Sequence, residues 1–439
     1  LDFPTGFVPT LFLTIGGGPD VGYLFERFEW KSFTNGGYIV RGKLSDSYWK
    51  KLRDIATKFY LEKGRKEPTK VVFELRWPGI TGNNERTGKH LAYMTDLDAK
   101  GVEASGSLEF VAVDPPSYWL NAGDCAGKMY KGKVKKVMEQ VVNDYFIGPN
   151  GSGAVEISDT VDYEENIWWM ERQDPKSFLA SLIDWSAGVT KDKTNWIVSS
   201  DGALDNGVPT IWIKEQAARS PKNYGNFSMN VKTPGGNTIY NFEFLADNFV
   251  SCFNKQLITH GLSTVSERYL DRKSDTQHTG QDGKCIVHVH DENTSKKKNV
   301  NIDATRGFAK PTNPPGAIEK PYEWSTSVAS VPEIYSAGDI GKTYDEWIDG
   351  RARQQYMNML NLVMRIKIRC TGIATKDLAN SHFLGVSKLK ILWRDPDNKS
   401  YFMDGDWLVY GFHHIVTPGH WYTDIYCARL DFDSSAQKV

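Results

Sequence analysis

Hydrophobic and polar residues alternate with a period of two near the C-terminal end, from Met364 to Leu430. In RIKIRC (365–370), Ile366, Ile368 and Cys370 fall on one side and Arg365, Lys367 and Arg369 on the other. KLKILW (388–393) repeats the pattern with Leu389, Ile391 and Trp393. WLVYGFHHIV (407–416) and WYTDIYCARL (421–430) follow, joined by Thr417-Pro418-Gly419-His420. Period-two runs bounded by Gly, Pro and Asp predict four antiparallel strands, entered here from a helix. The last two strands carry large residues on both faces. That distribution suits a sheet closed into a small barrel and pressed against a neighbouring subunit.

The N-terminal part has the same character. PTLFLTI (9–15), YLFERFEWKSF (23–33), GYIVRGKL (37–44), TKVVFELRW (69–77) and GSLEFVAVD (106–114) are predicted strands, with Asn35-Gly36-Gly37 as a hairpin turn. Ser45 or Asp46 can cap a helix over about 46–63, whose Leu52, Ile55, Phe59 and Tyr60 share one face. Short strands with one helix laid across them are enough for a small barrel.

Asp114-Pro115-Pro116 breaks the pattern and marks a boundary. A lysine-rich helix is predicted over about 126–146, with Val134, Met138, Val141, Val142 and Tyr145 as its apolar stripe. Its lysines read first as a solvated face and second as a docking site for an acidic partner. Asp174-Pro175 is a strong helix start, and Phe178, Leu179, Leu182 and Ile183 form the buried face before Gly188 ends the helix. TNWIVSSDG (194–202) and VPTIWIKEQ (208–216) read as a hairpin. Strand character returns from Thr238 to about Asp271, and 275–340 is the least organised stretch. Tyr344, Ile348, Ala352, Tyr356, Leu360 and Val363 then predict a long helix over 343–364. No exact internal repeat is visible.

Composition narrows the function classes. Fifty-three basic and 54 acidic residues leave a net charge of −1, so no global field steers the chain to nucleic acid. Aromatic residues make up 13%, with 14 Trp, which implies extensive contact surface. The five cysteines (Cys125, Cys252, Cys285, Cys370, Cys427) are scattered and form no disulfide framework. No apolar run reaches the roughly 18–20 residues of a membrane span, and no leader for export is expected.

Candidate chemistry is thin. Cys285, His288 and His290 resemble part of a metal cluster, but Cys285 faces away from the two histidines in a strand and no fourth ligand is near. His413 and His414 sit mid-strand among aromatics, where a packed, locally hydrogen-bonded histidine is the plain reading and a catalytic base the sharper one. Asp404-Gly405-Asp406 reads as a turn before a strand. Glu164, Glu165, Asp404 and Asp406 cannot be paired into the opposed carboxylates of a glycosidase. Gly16-Gly17-Gly18 lacks the Lys-Ser/Thr of a phosphate loop and reads as a turn. The expectation is therefore no catalytic, cofactor or metal site, and no enzyme.

GDWLVYGFHHIVTPGHWYTDIYCARL (405–430) resembles the closing hairpin of the contractile-tail baseplate hub family, through Gly405, Trp407, Val409, His414, Tyr422, Thr423 and Arg429. The order of elements is also similar, including a helix bearing Phe178, Leu179 and Leu182. The resemblance implies an α+β chain with two small antiparallel, tube-like β-barrels. These span 1–117 and 236–275 plus 355–432, with an inserted α/β domain over 118–235 and a smaller irregular insertion over 276–354 that ends in a helix. It implies a homotrimer forming a pseudo-six-fold ring between the six-fold tail tube and the three-fold central spike. The implied partners are spike, tube and tape measure proteins and, further, baseplate wedge proteins. Neither a membrane nor sequence-specific nucleic acid is among them. The implied place is the baseplate of a virion tail assembled in the host cytoplasm. A cell-wall-degrading glycoside hydrolase with Trp-rich carbohydrate-binding β domains is the alternative, and a nucleic-acid-binding module resting on the lysines at 128–136 and 296–298, with salt-sensitive DNA binding, the third reading.

Overall fold

The structure is a computed structural model of the chain. It describes residues 9–429 except 35–36, 48, 63–67, 79–83, 103–104, 122–126, 149–150, 152, 158–165, 171–173, 188–195, 205–206, 216–222, 230–236, 246–255, 261–262, 270–283, 292–296, 304–321, 329–363, 373–383, 385–386 and 394–403. For the strands between 256 and 328, and at a few further positions, it describes the backbone alone.

The N-terminal unit comprises β1 (Thr10–Ile15), β2 (Phe25–Phe33), β3 (Gly37–Asp46), α1 (Lys50–Glu62), β4 (Lys70–Pro78), β5 (Asn84–Arg86), β6 (His90–Val102) and β7 (Ser105–Val113). Its strands run in the order β1-β4-β6-β7-β3-β2, all antiparallel. Alternation in β2 sends Phe28, Trp30 and Ser32 into the core and leaves Glu29, Lys31 and Phe33 on the outer face. Trp30 packs on Phe73 and Tyr38 with ring centroids 5.1 and 6.0 Å away. Asp46 accepts the Lys51 amide at 3.1 Å, so it does serve the start of α1 as expected.

The next elements are α2 (Pro115–Asn121), β8 (Lys128–Gly132), α3 (Val134–Val142) with a π-helical turn to Ile147, β9 (Ala154–Ile157), β10 (Asn166–Met170), α4 (Pro175–Ala187), β11 (Trp196–Asp201) and β12 (Thr210–Glu215). β11 and β12 pair as the expected hairpin, and β9 joins β12 in parallel. Two expectations need correcting. The lysine-rich helix starts at Val134, because Lys128–Gly132 is a strand paired with β10. Asp114-Pro115-Pro116 ends one unit but also starts α2: Asp114 accepts the Ser117 amide at 2.9 Å, just as Asp174 accepts the Ser177 amide at 2.9 Å before α4.

β13 (Asn223–Met229), β14 (Asn237–Thr238) and β15 (Asn241–Phe244) return to the main sheet. The inserted part therefore ends before Asn223, not at 235. β16 (Gln256–His260), β17 (Ser263–Tyr269), β18 (Lys284–Asp291), β19 (Lys297–Asp303) and β20 (Tyr322–Val328) form a separate five-stranded sheet in the order β16-β17-β20-β18-β19. So 256–269 belongs with the second insertion rather than the second barrel, and that insertion is a sheet rather than irregular chain. The helix expected over 343–364 lies outside the described residues, up to Met364, where β21 begins.

β21 (Met364–Thr371), β22 (Ser387–Trp393), β23 (Gly405–Thr417) and β24 (His420–Arg429) are the four strands read from the alternation. The order β22-β23-β24-β21-β15 is antiparallel throughout and repeats β4-β6-β7-β3-β2. The repeat holds residue by residue. Tyr93 opposite Val113 answers to Leu408 opposite Ala428, and Val102 opposite Ser105 answers to Thr417 opposite His420, at one constant offset in numbering. Both hairpins shift register at the matching place, between Met94 and Asp96 and between Val409 and Gly411. In each unit, the segment leading into the last strand bonds back to the first strand: Val21 N to Leu13 O at 2.8 Å, and Ile239 N to Ser228 O at 2.9 Å.

The two units are not separate. β2 pairs antiparallel with β23 from Phe28 opposite Val416 to Phe33 opposite Gly411, so one 14-stranded sheet and one hydrophobic core run through both. The class is α+β, dominated by antiparallel sheet.

Candidate assembly interface

The seam between β2 and β23 has a core side and an outer side. On the core side, His414 is fully buried between Trp30, Phe412 and Trp421, with centroid distances of 5.5, 4.7 and 5.6 Å. Its Nδ1 accepts from the Thr423 hydroxyl at 2.7 Å and from the Trp421 indole N–H at 3.3 Å. Two donors on Nδ1 fix the neutral ring with its proton on Nε2. Burial drives the His414 pKa down to about 3, helped by His413 and His90. This is the packed, locally bonded histidine that the sequence suggests.

The outer side is a ladder of charge and aromatic rings. His413 Nε2 lies 3.1 Å from Glu29 Oε2, and Arg27 holds the same carboxylate at 2.5 Å. Burial lowers the His413 pKa against the opposing pull of Glu29. For Glu29, burial alone would raise the pKa, but the bond from Arg27 and the charge of His413 together bring it down. One strand further on, Asp424 is gripped by Arg369 through two bonds of 2.7 and 2.9 Å. Phe33 packs on Tyr426 at 4.8 Å, and Lys31 lies 4.9 Å above the Phe33 ring. The register places these residues in rows that cross β2, β23, β24, β21 and β15.

Sequence reading singled out β23 and β24 but missed Glu29, Lys31, Phe33, Arg369 and Asp424 as parts of one surface. Alternation in β2 and β21 assigns them to an outward face, yet only the β2–β23 pairing shows that the two faces are continuous.

The other candidates stand apart. Asp404 is buried at the start of β23, while Asp406 pairs with Lys388 at 2.9 Å. Gly16 and Gly17 make a turn after β1 with φ of 60° and 67°. Lys128, Lys131, Lys133 and Lys136 are exposed and Lys128 pairs with Asp144, as a solvated face should. Cys285, His288 and His290 lie on β18, whose side chains are outside the described residues, as are Glu164 and Glu165. Among the described residues no group of three or more metal-ligating side chains converges, and no helix is long and apolar enough to cross a membrane. In the β23–β24 hairpin Trp407, Val409, His414 and Thr423 all point into the core, and Tyr422 lies on the outer face, its ring 6.0 Å from the Arg369 guanidinium.

The sequence matches no protein-family description and no curated protein. Solved structures do match across its length. The tail protein from Neisseria meningitidis MC58 is similar with a TM-score of 0.52 at 10% identity, over 97% of both chains. The 43 kDa tail protein of prophage MuSo2 from Shewanella oneidensis is similar with a TM-score of 0.53 at 11% identity, over 97% of this chain and 100% of that one. The fold is a tail-protein fold. Its two β units, seam and insertions are thus arranged on a scaffold shared with phage-type tail proteins.

Proposed function

We propose that this chain is the structural baseplate hub of a contractile, phage-like tail. Three copies make a ring of six similar β units, which continues the six-fold tail tube on one side and receives the three-fold central spike on the other. The observation that carries the reading is the duplicated strand order within one polypeptide, joined by a β2–β23 seam. A two-unit chain tripled about an axis presents six near-equivalent surfaces and three equivalent ones at once. The tail-protein fold supports the same reading. The work is mechanical connection rather than catalysis. The partners are spike, tube, tape measure and wedge proteins, and the place is the virion tail baseplate, assembled in the host cytoplasm.

The test is mass photometry of the purified chain, alone and with its spike protein, followed by imaging of the particle. A trimeric ring with a central channel is expected. A monodisperse monomer under both conditions overturns the proposal. Purified peptidoglycan should survive incubation with the chain, and its degradation would overturn the non-catalytic part.

A further inference from the structure

We infer that neighbouring copies of this chain join by pairing β15 of one copy with the 98–102 stretch of β6 in the next, in the register that already joins β2 to β23 within each chain. The inference rests on the ring reading and specifies the contact that closes it.

Among the described residues, two of the main sheet's open edges belong to strands whose counterparts in the other unit are paired. β15 bonds to β21 along one side only. β6 bonds to β4 only through His90–Tyr93, so its half beyond Thr95 has β7 on one side and no strand on the other. An open edge invites strand addition, and on β15 the Phe242 amide is met by the side chain of its own neighbour, Asn241, at 2.8 Å. The Tyr60 hydroxyl covers the Leu97 carbonyl at 3.2 Å, just beyond the stretch proposed to pair.

The repeat names the partner of each edge. β15 is the counterpart of β2: Asn241, Phe242, Glu243 and Phe244 oppose Arg369, Ile368, Lys367 and Ile366 as Arg27, Phe28, Glu29 and Trp30 oppose Lys43, Gly42, Arg41 and Val40. β6 is the counterpart of β23. The chain thus already contains one β2-type strand bonded to one β6-type strand, and among the described residues it leaves one edge of each type open. A second copy of the same chain supplies what each lacks, and head-to-tail repetition of that contact builds a ring.

Transferring the seam register gives the pairs. Phe28 opposite Val416, Glu29 opposite Ile415 and Trp30 opposite His414 become Phe242 opposite Gly101, Glu243 opposite Lys100 and Phe244 opposite Ala99. The chemistry suits those neighbours. Glu243 and Lys100 are outward, oppositely charged, and 56% and 73% exposed. Phe244 is 39% exposed, whereas its counterpart Trp30 is fully buried against Phe412 and His414 of the adjoining strand. Gly101 offers Phe242 a strand without a side chain, and a Cβ there would meet the Trp49 ring at 2.6 Å.

The test is a cysteine pair, Lys100→Cys with Glu243→Cys, in the full chain with Cys125, Cys252 and Cys285 replaced by Ser, oxidised with and without spike protein. Opposed positions across an antiparallel pair come within disulfide reach. A covalent trimer that collapses to monomer on reduction, and is absent from either single variant, is expected. As a second readout, Lys100→Glu and Glu243→Lys should each raise the half-assembly concentration about tenfold, with recovery in the double exchange. A chain that is trimeric by mass but neither cross-links nor recovers overturns this interface and leaves the hub reading standing. A chain that never assembles overturns both.

Discussion

Arg369 grips Asp424 with two parallel hydrogen bonds across adjacent strands, and the carboxylate is 4% exposed while the guanidinium is 39% exposed. Because the partners differ so much in burial, removing the arginine is worse than the loss of a surface pair. Arg369→Ala strands a buried carboxylate and should destabilise the chain by about 2 kcal/mol, less than for a fully buried pair because water reaches the vacated side. Urea unfolding of Arg369→Ala, Asp424→Asn and the double variant measures the coupling; additive losses would show that the two side chains act independently.

Asp114 ties three parts of the chain together. It accepts from the Tyr38 amide at 2.9 Å, the Ser117 amide at 2.9 Å and the Ser200 hydroxyl at 2.7 Å, and it is fully buried. Gly37 beside it has φ of 68°, and a Cβ there would lie 2.2 Å from the carboxylate. Asp114→Ala should cost about 3 kcal/mol by orphaning buried donors. Asp174→Ala, at an exposed cap of the same design, should cost about 1 kcal/mol. Thermal unfolding of the two variants side by side checks the ranking, and equal losses would contradict it.

Asp114 also shows where sequence reading stopped. Asp-Pro-x-Ser occurs at 114 and at 174, and the same two bonds start both helices. At 174 an apolar helical stripe follows and makes the start legible. At 114 only seven residues of helix follow, too few for periodicity to declare itself. The four C-terminal strands were legible because Ile366, Ile368 and Cys370 alternate cleanly with charge. β8 was not, because five residues flanked by lysines carry one inward side chain of any size, Tyr130. The duplication shows no residue repeat and was expected only through the family resemblance, because burial and pairing repeat while residue types do not: Tyr93 answers to Leu408, and Asp96 to Gly411. The candidate surface depends on pairing between Phe28 and Val416, nearly the whole chain apart, and no local pattern encodes that.

His414 makes stability depend on pH. Its folded pKa is about 3 against about 6.5 in the unfolded chain, so between those values only the unfolded state takes up the proton. Stability is therefore complete above about pH 6.5 and falls as the pH drops toward 3. Between pH 7.5 and 5.5 this one group should remove about 1.4 kcal/mol, and His413, shifted the same way, adds to it. Urea midpoints across that range check the slope, which should shrink in His414→Gln; an unchanged slope would assign the effect elsewhere.

Cys370 and Cys427 are both buried in the core face of β21 and β24, opposite Thr423 and Ile366, and burial pushes both thiols well above their usual range. With the other three cysteines changed to Ser, a thiol reagent at pH 8 should label neither in the folded chain and both in urea. Labelling at the rate of a free thiol without denaturant would mean the sheet opens far more readily than its packing allows.

The second β unit carries its own socket. Where the first unit turns directly from β2 into β3, the second leaves β15 at Phe244 and returns at β21, with Leu245 N bonded to Arg365 O at 3.1 Å. The two ends of the intervening chain therefore lie at neighbouring backbone points, and the entropy of closing it changes only slowly with its length. A passenger domain grafted there, or a two-residue bridge in its place, should leave the paired strands undisturbed, which makes this the natural point for diversifying or re-equipping the protein.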